Sequence, residues 1–363
     1  MDDFSKVKTI IDNSKSIIIV GNKEDSNQDA LGAVLGTLLG LKNKKNVFVP
    51  KDKNSEKIVS FLKETSERKK FVISFSNDVS EVFYEKKDNG LDLYLVPKNI
   101  EDADPKNFSC KIVSDKEQTF LSSPSAFDAV IAFNINSFQD LENYFEEDID
   151  SIYQCAVINI GNRPENESYG EVNFIDEKSS LSEKAALLLE ATCFEINEKA
   201  ASFLLWGIVS SLNSFKTPRT LGIIKKLVQK GGRFYSSHSG EETKRKFALL
   251  EKTIKNLCFS PQNNLYFSFL SANDIKSNGS SSSDLSFVVK KMKDILLLPS
   301  FVLLWESNSS PLNIKGVFYS DQKEIIDKIK NAYQGNYKNQ GGIFLAQKQD
   351  LDSAKKEFIA LFK

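Results

Sequence analysis

Residues able to do chemistry are scarce in this chain. His238 is the only histidine in 363 residues. It lies in a serine-rich turn, Tyr235-Ser236-Ser237-His238-Ser239-Gly240, and reads as a surface loop residue. Imidazole is the commonest transition-metal ligand and a frequent general base. One copy cannot build a multi-histidine metal centre. The same scarcity argues against Ser-His-Asp or Cys-His catalysis, which needs an oriented base beside the nucleophile. Cys110, Cys155, Cys193 and Cys258 lie far apart and form no C-x-x-C pair, so they read as reduced thiols of a cytoplasmic protein rather than a zinc site. The most promising polar turn is Asn27-Gln28-Asp29-Ala30-Leu31-Gly32. It follows the apolar run Ser16–Val20 and opens a segment with glycine at 32, 36 and 40.

That order places the turn between a strand and a helix. Leu31, Val34, Leu35, Leu38 and Leu39 recur at helical spacing, and Asn46–Val49 reads as the next strand. Strand, turn, helix and strand form a βαβ unit with its functional groups at the carboxyl end of the strand. The bare glycine stripe predicts close packing of the helix on the sheet. Further elements follow from periodicity. Helices are expected at 3–14, 55–65, 180–195 (with Ser180 and Glu183 as a capping box), 200–212, 221–229, 241–257, 284–296 and 321–333. Buried strands are expected at 127–133 and 155–160, and later strands at 265–270, 301–306 and 314–319. Between them, 70–76, 81–86, 91–96 and 109–113 suggest a β-rich insertion at about 68–125, a hairpin or meander. Ser277–Ser283 is low in complexity and reads as a mobile loop. The expected architecture is α/β. A mostly parallel, doubly wound sheet domain occupies 1–240, a helical connector 241–260, and a smaller α/β domain 261–363.

Composition narrows the partners. Hydrophobic residues make 40% and charged residues 27%, with 48 Lys+Arg against 49 Asp+Glu. No global basic field exists for nucleic acid or anionic membrane, so any anion site must be local. No apolar run reaches transmembrane length, and the polar, charged residues 1–15 do not read as a signal peptide.

The Asn-Gln-Asp-Ala-Leu-Gly turn resembles the first motif of the DHH phosphoesterases, of the RecJ-like and nanoRNase-like kind, where His-x-x-x-Asp-x-Asp-Ala-x-Gly supplies metal ligands. The family frame falls on Lys23, Asn27 and Asp29, of which Asp29 alone is a family ligand type. Phe127–Asn134 resembles the second motif, with Asn134 in place of the metal-binding Asp. Ile158–Asn166 is similar to the Asp-His-His segment, which here has become Gly161, Asn162 and Arg163. Gly207–Phe215 resembles the fourth motif, its Asp replaced by Ser211. The C-terminal third resembles the DHH-associated domain. Tyr319 falls near its substrate-arginine position, and Gln340–Ala346 resembles its glycine loop through Gly341 and Gly342.

The resemblance implies a two-metal manganese site, yet the substituted residues imply no metal cofactor here. Neutral Asn and Ser bind divalent ions more weakly than carboxylates, and Lys23 and Arg163 would repel them. The implied protein is a catalytically degenerate relative. One reading keeps an anion site in which Lys23 and Arg163 hold the phosphate of a nucleotide or short nucleic acid, with Tyr319, Gly341 and Gly342 contributing. The other is a vestigial cleft in an interaction or scaffold protein that binds a protein partner through the insertion. An active phosphodiesterase with a rebuilt site is the third.

Overall fold

The computed structural model describes residues 3–22, 27–42, 44–50, 69–75, 79–87, 90–97, 108–114, 127–145, 149–194, 196–214, 219–234, 240–277, 279–307, 313–348 and 350–362. The chain divides into two compact units, one of residues 1–50 with 123–363 and the other of residues 51–122. It is an α/β protein.

The first unit opens with a five-stranded sheet. Its strands are β1 (Ser16–Gly21), β2 (Asn46–Phe48), β7 (Ala129–Phe133), β8 (Ala156–Gly161) and β9 (Val172–Ile175), in the order β2-β1-β7-β8-β9. Every neighbouring pair is parallel. The short strands β1 and β7 are almost wholly apolar because both faces are covered, as parallel sheets require. On one face Ile18, Val20, Val130, Ala132 and Val157 pack with Phe127, Ile135, Leu141, Phe145 and Ile152. Leu141 and Ile152 come from two short helices, α3 (Phe138–Glu142) and α4 (Ile149–Tyr153). On the other face lie α1 (Asp3–Asn13), α2 (Gln28–Leu41) and α5 (Leu181–Ala191), which contact β9, β1 and β8 respectively.

Helix α2 is buried all round, apart from Gln28 and Leu31. The reason is a further layer of helices, α6 (Glu198–Ser211) and then α7 (Thr220–Gln229), outside it. The glycine stripe serves this layer. A Cβ on Gly36 would sit 2.4 Å from Leu204 Cγ, one on Gly40 2.6 Å from Leu189 Cδ1, and one on Gly32 2.7 Å from the Phe203 carbonyl. The expected helix–sheet packing is therefore corrected: the glycines let two helices, α5 and α6, approach α2, while the larger residues of α2 meet the sheet.

Helix α8 (Glu241–Lys255) leads to a second sheet of six strands. These are β10 (Cys258–Ser260), β11 (Leu265–Leu270), β12 (Ser300–Glu306), β13 (Ile314–Ser320), β14 (Gln334–Lys338) and β15 (Gly341–Ala346), in the order β10-β11-β12-β13-β15-β14. Only β11 and β12 run parallel. One face forms a core with α11 (Lys323–Ala332) and α12 (Leu351–Leu361), through residues such as Phe269, Leu304, Phe344, Ile329 and Phe358. Helices α8 and α10 (Leu285–Asp294) contact β11 and β12, and a short α9 (Ala272–Lys276) follows β11. The expected loop at 277–283 ends in a short local element. Ser282–Asp284 is a 3₁₀ turn, with Ser281 and Asp284 forming a capping box.

The second unit contains β3 (Lys69–Phe75), β4 (Val79–Lys87), β5 (Gly90–Pro97) and β6 (Phe108–Ser114). They form two antiparallel ribbons, β3 with β6 and β4 with β5. The pairing is nested and not a meander. The expected helix at 55–65 lies outside the described residues.

Candidate functional site

The sheet order reverses between β1 and β7, because the chain passes from β1 to β2 on one side and later from β7 to β8 on the other. The carboxyl ends of strands at such a switch point are where α/β sheets bind their ligands. Here the strand ends carry amides. Asn22 follows β1, Asn134 follows β7 and Asn162 follows β8. The Asn22 backbone N–H donates to the Phe133 carbonyl at 3.1 Å, and its side-chain amide donates to the Asn134 carbonyl at 2.8 Å. Asn134 and Asn162 form a reciprocal pair. The Asn134 amide donates to Asn162 Oδ1 at 3.0 Å, and Asn134 Oδ1 accepts the Asn162 backbone N–H at 3.0 Å. Asn134 has φ +52°, a left-handed conformation that asparagine tolerates better than a branched residue.

A second amide cluster lies behind the first. The Asn159 amide donates to Asn166 Oδ1 at 2.8 Å and to Asn173 Oδ1 at 3.0 Å, while the Asn166 amide donates to the Ile135 carbonyl at 2.9 Å. Asn159 is fully buried. These bonds tie the ends of β7, β8 and β9 together and fix the loop that begins at Asn162 and Arg163. A buried amide without partners would be costly, so the cluster satisfies itself.

Asp29 does not join these amides. It is 5% exposed. Its two carboxylate oxygens accept the backbone N–H groups of Leu181 and Ser182, each at 2.8 Å, and Ser182 Oγ donates to its carbonyl at 2.8 Å. Asp29 thus caps helix α5 from a distance of some 150 residues in sequence, where the helix dipole favours an anion. Burial pushes its carboxyl above the ordinary range, opposed by the Ser182 and Leu181 N–H groups.

The remaining residues are placed as follows. Lys23 lies outside the described residues, as does His238. Asn27 is exposed at the N-cap of α2, where Oδ1 accepts the Ala30 N–H at 2.8 Å. Ser211 is buried at the end of α6 and its hydroxyl donates to carbonyls of its own helix, Gly207 and Ile208. Since Gly207 packs against Asp29, Ser211 lies one turn further toward the start of α2. Arg163 is partly buried directly after Asn162. Tyr319, Gly341 and Gly342 form their own group in the second sheet. Tyr319 pairs with Gly341 across β13 and β15. It is 8% exposed, packs against Phe301, and receives Lys293 Nζ 5.6 Å from its ring centroid. Gly341 and Gly342 are strand residues between β13 and β14, where a Cβ would meet the Phe318 carbonyl at 2.4 Å or the Asn336 carbonyl at 2.6 Å.

Lys184 was not a sequence candidate. It is 6% exposed, and its ammonium donates to the carbonyls of Gly161 at 2.7 Å, Asp176 at 2.5 Å and Ser179 at 3.1 Å. Burial pulls its pKa down to about 8, against the pull of Asp176, Asp29 and Glu183. Glu183, whose side chain is fully buried, accepts from Arg219 Nε at 3.0 Å and Thr220 Oγ1 at 2.8 Å. A signal for Lys184 did exist. It falls on the same face as Leu181, Ala185 and Leu188, where a charge is out of place unless it has partners.

The described donors at these strand ends do not fit a divalent-metal centre. Asn134 and Asn162 bond each other, Asp29 is engaged on α5, and neutral amides supply none of the charge that two close cations need. Among the described residues no group of three or more His, Cys, Asp or Glu is arranged to hold a metal, and no helix is long and apolar enough to cross a membrane.

No protein-family model and no curated protein matches the chain. Among solved structures, it is similar to an exopolyphosphatase-related protein from Bacteroides fragilis, at 15% identity and TM-score 0.39, over 99% of this chain and 95% of that one. It is also similar to a Methanococcus jannaschii protein described as a family II inorganic pyrophosphatase, at 12% identity and TM-score 0.30, over 94% and 98% of the two chains.

Proposed function

We propose that this chain is a catalytically degenerate DHH phosphoesterase-like protein that binds a phosphate-bearing ligand, a nucleotide or short oligonucleotide, without hydrolysing it. The observation that carries the reading is the Asn134–Asn162 amide pair at the adjacent ends of β7 and β8. It places a mutually bonded neutral pair at the switch-point strand ends, where the resembled family holds metal ligands. Asp29, the one family-type carboxylate, is used to cap α5. Such strand ends offer hydrogen bonds and the Arg163 cation to a phosphate, and the described residues there include no carboxylate or imidazole placed to activate a water. The second sheet corresponds to the DHH-associated domain in this proposal.

A thermal-shift screen of mononucleotides, cyclic dinucleotides and short RNAs, with and without manganese, tests it. The reading expects at least one ligand to raise the melting temperature equally with and without the metal. Stabilisation by none of them would favour the scaffold alternative, in which the second unit engages a protein partner.

A further inference from the structure

The Lys184 ammonium has three N–H donors, and three backbone carbonyls, of Gly161, Asp176 and Ser179, accept from it within 2.5–3.1 Å. An ammonium with three acceptors is fully satisfied. The carbonyls come from the end of β8, the end of β9 and the turn before α5, three segments that meet only in the fold. Asp176 does not supply its carboxylate here. Its Oδ1 accepts the Lys178 N–H at 2.9 Å, and Oδ2 is held by the Ser179 hydroxyl. Asp29 and Glu183 stand near enough to act on the charge, yet their carboxylates are committed to α5 and to Arg219 and Thr220. The direct ligands are therefore neutral carbonyl oxygens with anions behind them. Converging backbone carbonyls are the setting in which proteins strip the water from a monovalent cation, and oxygen ligands suit hard cations.

We propose that Lys184 is a tethered cation filling an oxygen cage that, without it, binds a monovalent metal or ammonium ion. Through the Gly161 carbonyl the tether also holds the strand end from which Asn162 projects into the crevice. The inference concerns this cage alone and stands whether or not the crevice binds phosphate.

The test removes the tether and offers free ions. Lys184→Ala and wild type are melted at equal ionic strength in potassium, ammonium or tetramethylammonium chloride, the last too large for the cage. The expected result is that the variant melts about 2 °C or more higher in potassium or ammonium than in tetramethylammonium, while the wild type shows less than half that difference. Equal melting of the variant in all three salts, or an equal shift in the wild type, overturns the proposal. If Lys184→Ala fails to fold in every salt, nitrogen-15 spectra of the wild type at pH 7 decide. A slowly exchanging lysine ammonium signal with contacts to Ser179 and Asp176 protons is expected. Its absence overturns the proposal.

Discussion

Replacing Asp29 should destabilise the fold rather than switch off a reaction. Both carboxylate oxygens accept buried backbone N–H groups at 2.8 Å, from Leu181 and Ser182. In Asp29→Ala both donors lose a charged acceptor at the start of α5, in a site too buried for water to replace it freely. Hydrogen bonds to charged groups contribute about 1.5–3 kcal/mol each, and an orphaned buried donor costs about 1–3 kcal/mol. These overlap, and Ser182 Oγ still reaches the Asp29 carbonyl, so the expected loss is about 3–5 kcal/mol. Asp29→Asn keeps one acceptor but turns an NH2 group toward the second N–H, and should lose about 2–4 kcal/mol. Urea unfolding followed by circular dichroism measures both, with midpoints ordered wild type, Asn, Ala. A loss below about 1 kcal/mol in the alanine variant would refute the capping role and release the carboxylate for ligand or metal.

Other consequences follow from the same structure. Arg163→Ala should weaken binding of the best ligand from the nucleotide screen by about tenfold, since a charge-assisted phosphate contact is worth roughly 1.5–3 kcal/mol; equal affinities by titration calorimetry at low and high salt would make Arg163 a bystander. Gly36→Ala places a Cβ 2.4 Å from Leu204 and should destabilise by about 1–3 kcal/mol through overpacking, with Leu204→Ala in the same chain relieving part of the clash in unfolding experiments. Burial raises the Glu251 carboxyl to about 7, so the folded state holds its proton more tightly than the unfolded chain. Its contribution is full below about pH 4.5, the ordinary carboxyl value, and is lost as pH rises through 7. Glu251→Gln should remove that part of the pH dependence of the melting temperature between pH 5 and 8.

The parts of the fold legible in sequence are those where local pattern and packing agree. Helix α2 is apolar at every spacing and strands β1 and β7 are short apolar runs, so each declares its burial. Four strands escaped notice, β9, β10, β14 and β15, three of them for definite reasons. β9 carries Asn173 and is four residues long. β14 is an exposed polar edge. β15 begins with two glycines, which read as a loop until the close carbonyls of its neighbours are seen. The positions of Asn134 and Asn162 at neighbouring strand ends were legible, because each follows a readable strand. The partner of Asp29 was not, since it lies on α5 and only tertiary packing joins them. Asn22 leaves no sequence motif, because its amide bonds a backbone carbonyl, and the one signal for Lys184 is a charge on the apolar face of its helix.

The most direct measurement recovers the ligand. The nucleotide or oligonucleotide that stabilises the protein most is incubated with it and manganese overnight, then analysed by mass spectrometry alongside its binding isotherm. The account predicts intact ligand and an affinity unchanged by manganese. Manganese-dependent cleavage that disappears in an Asn134→Leu variant would contradict it, and would make the amide-lined crevice a working active site.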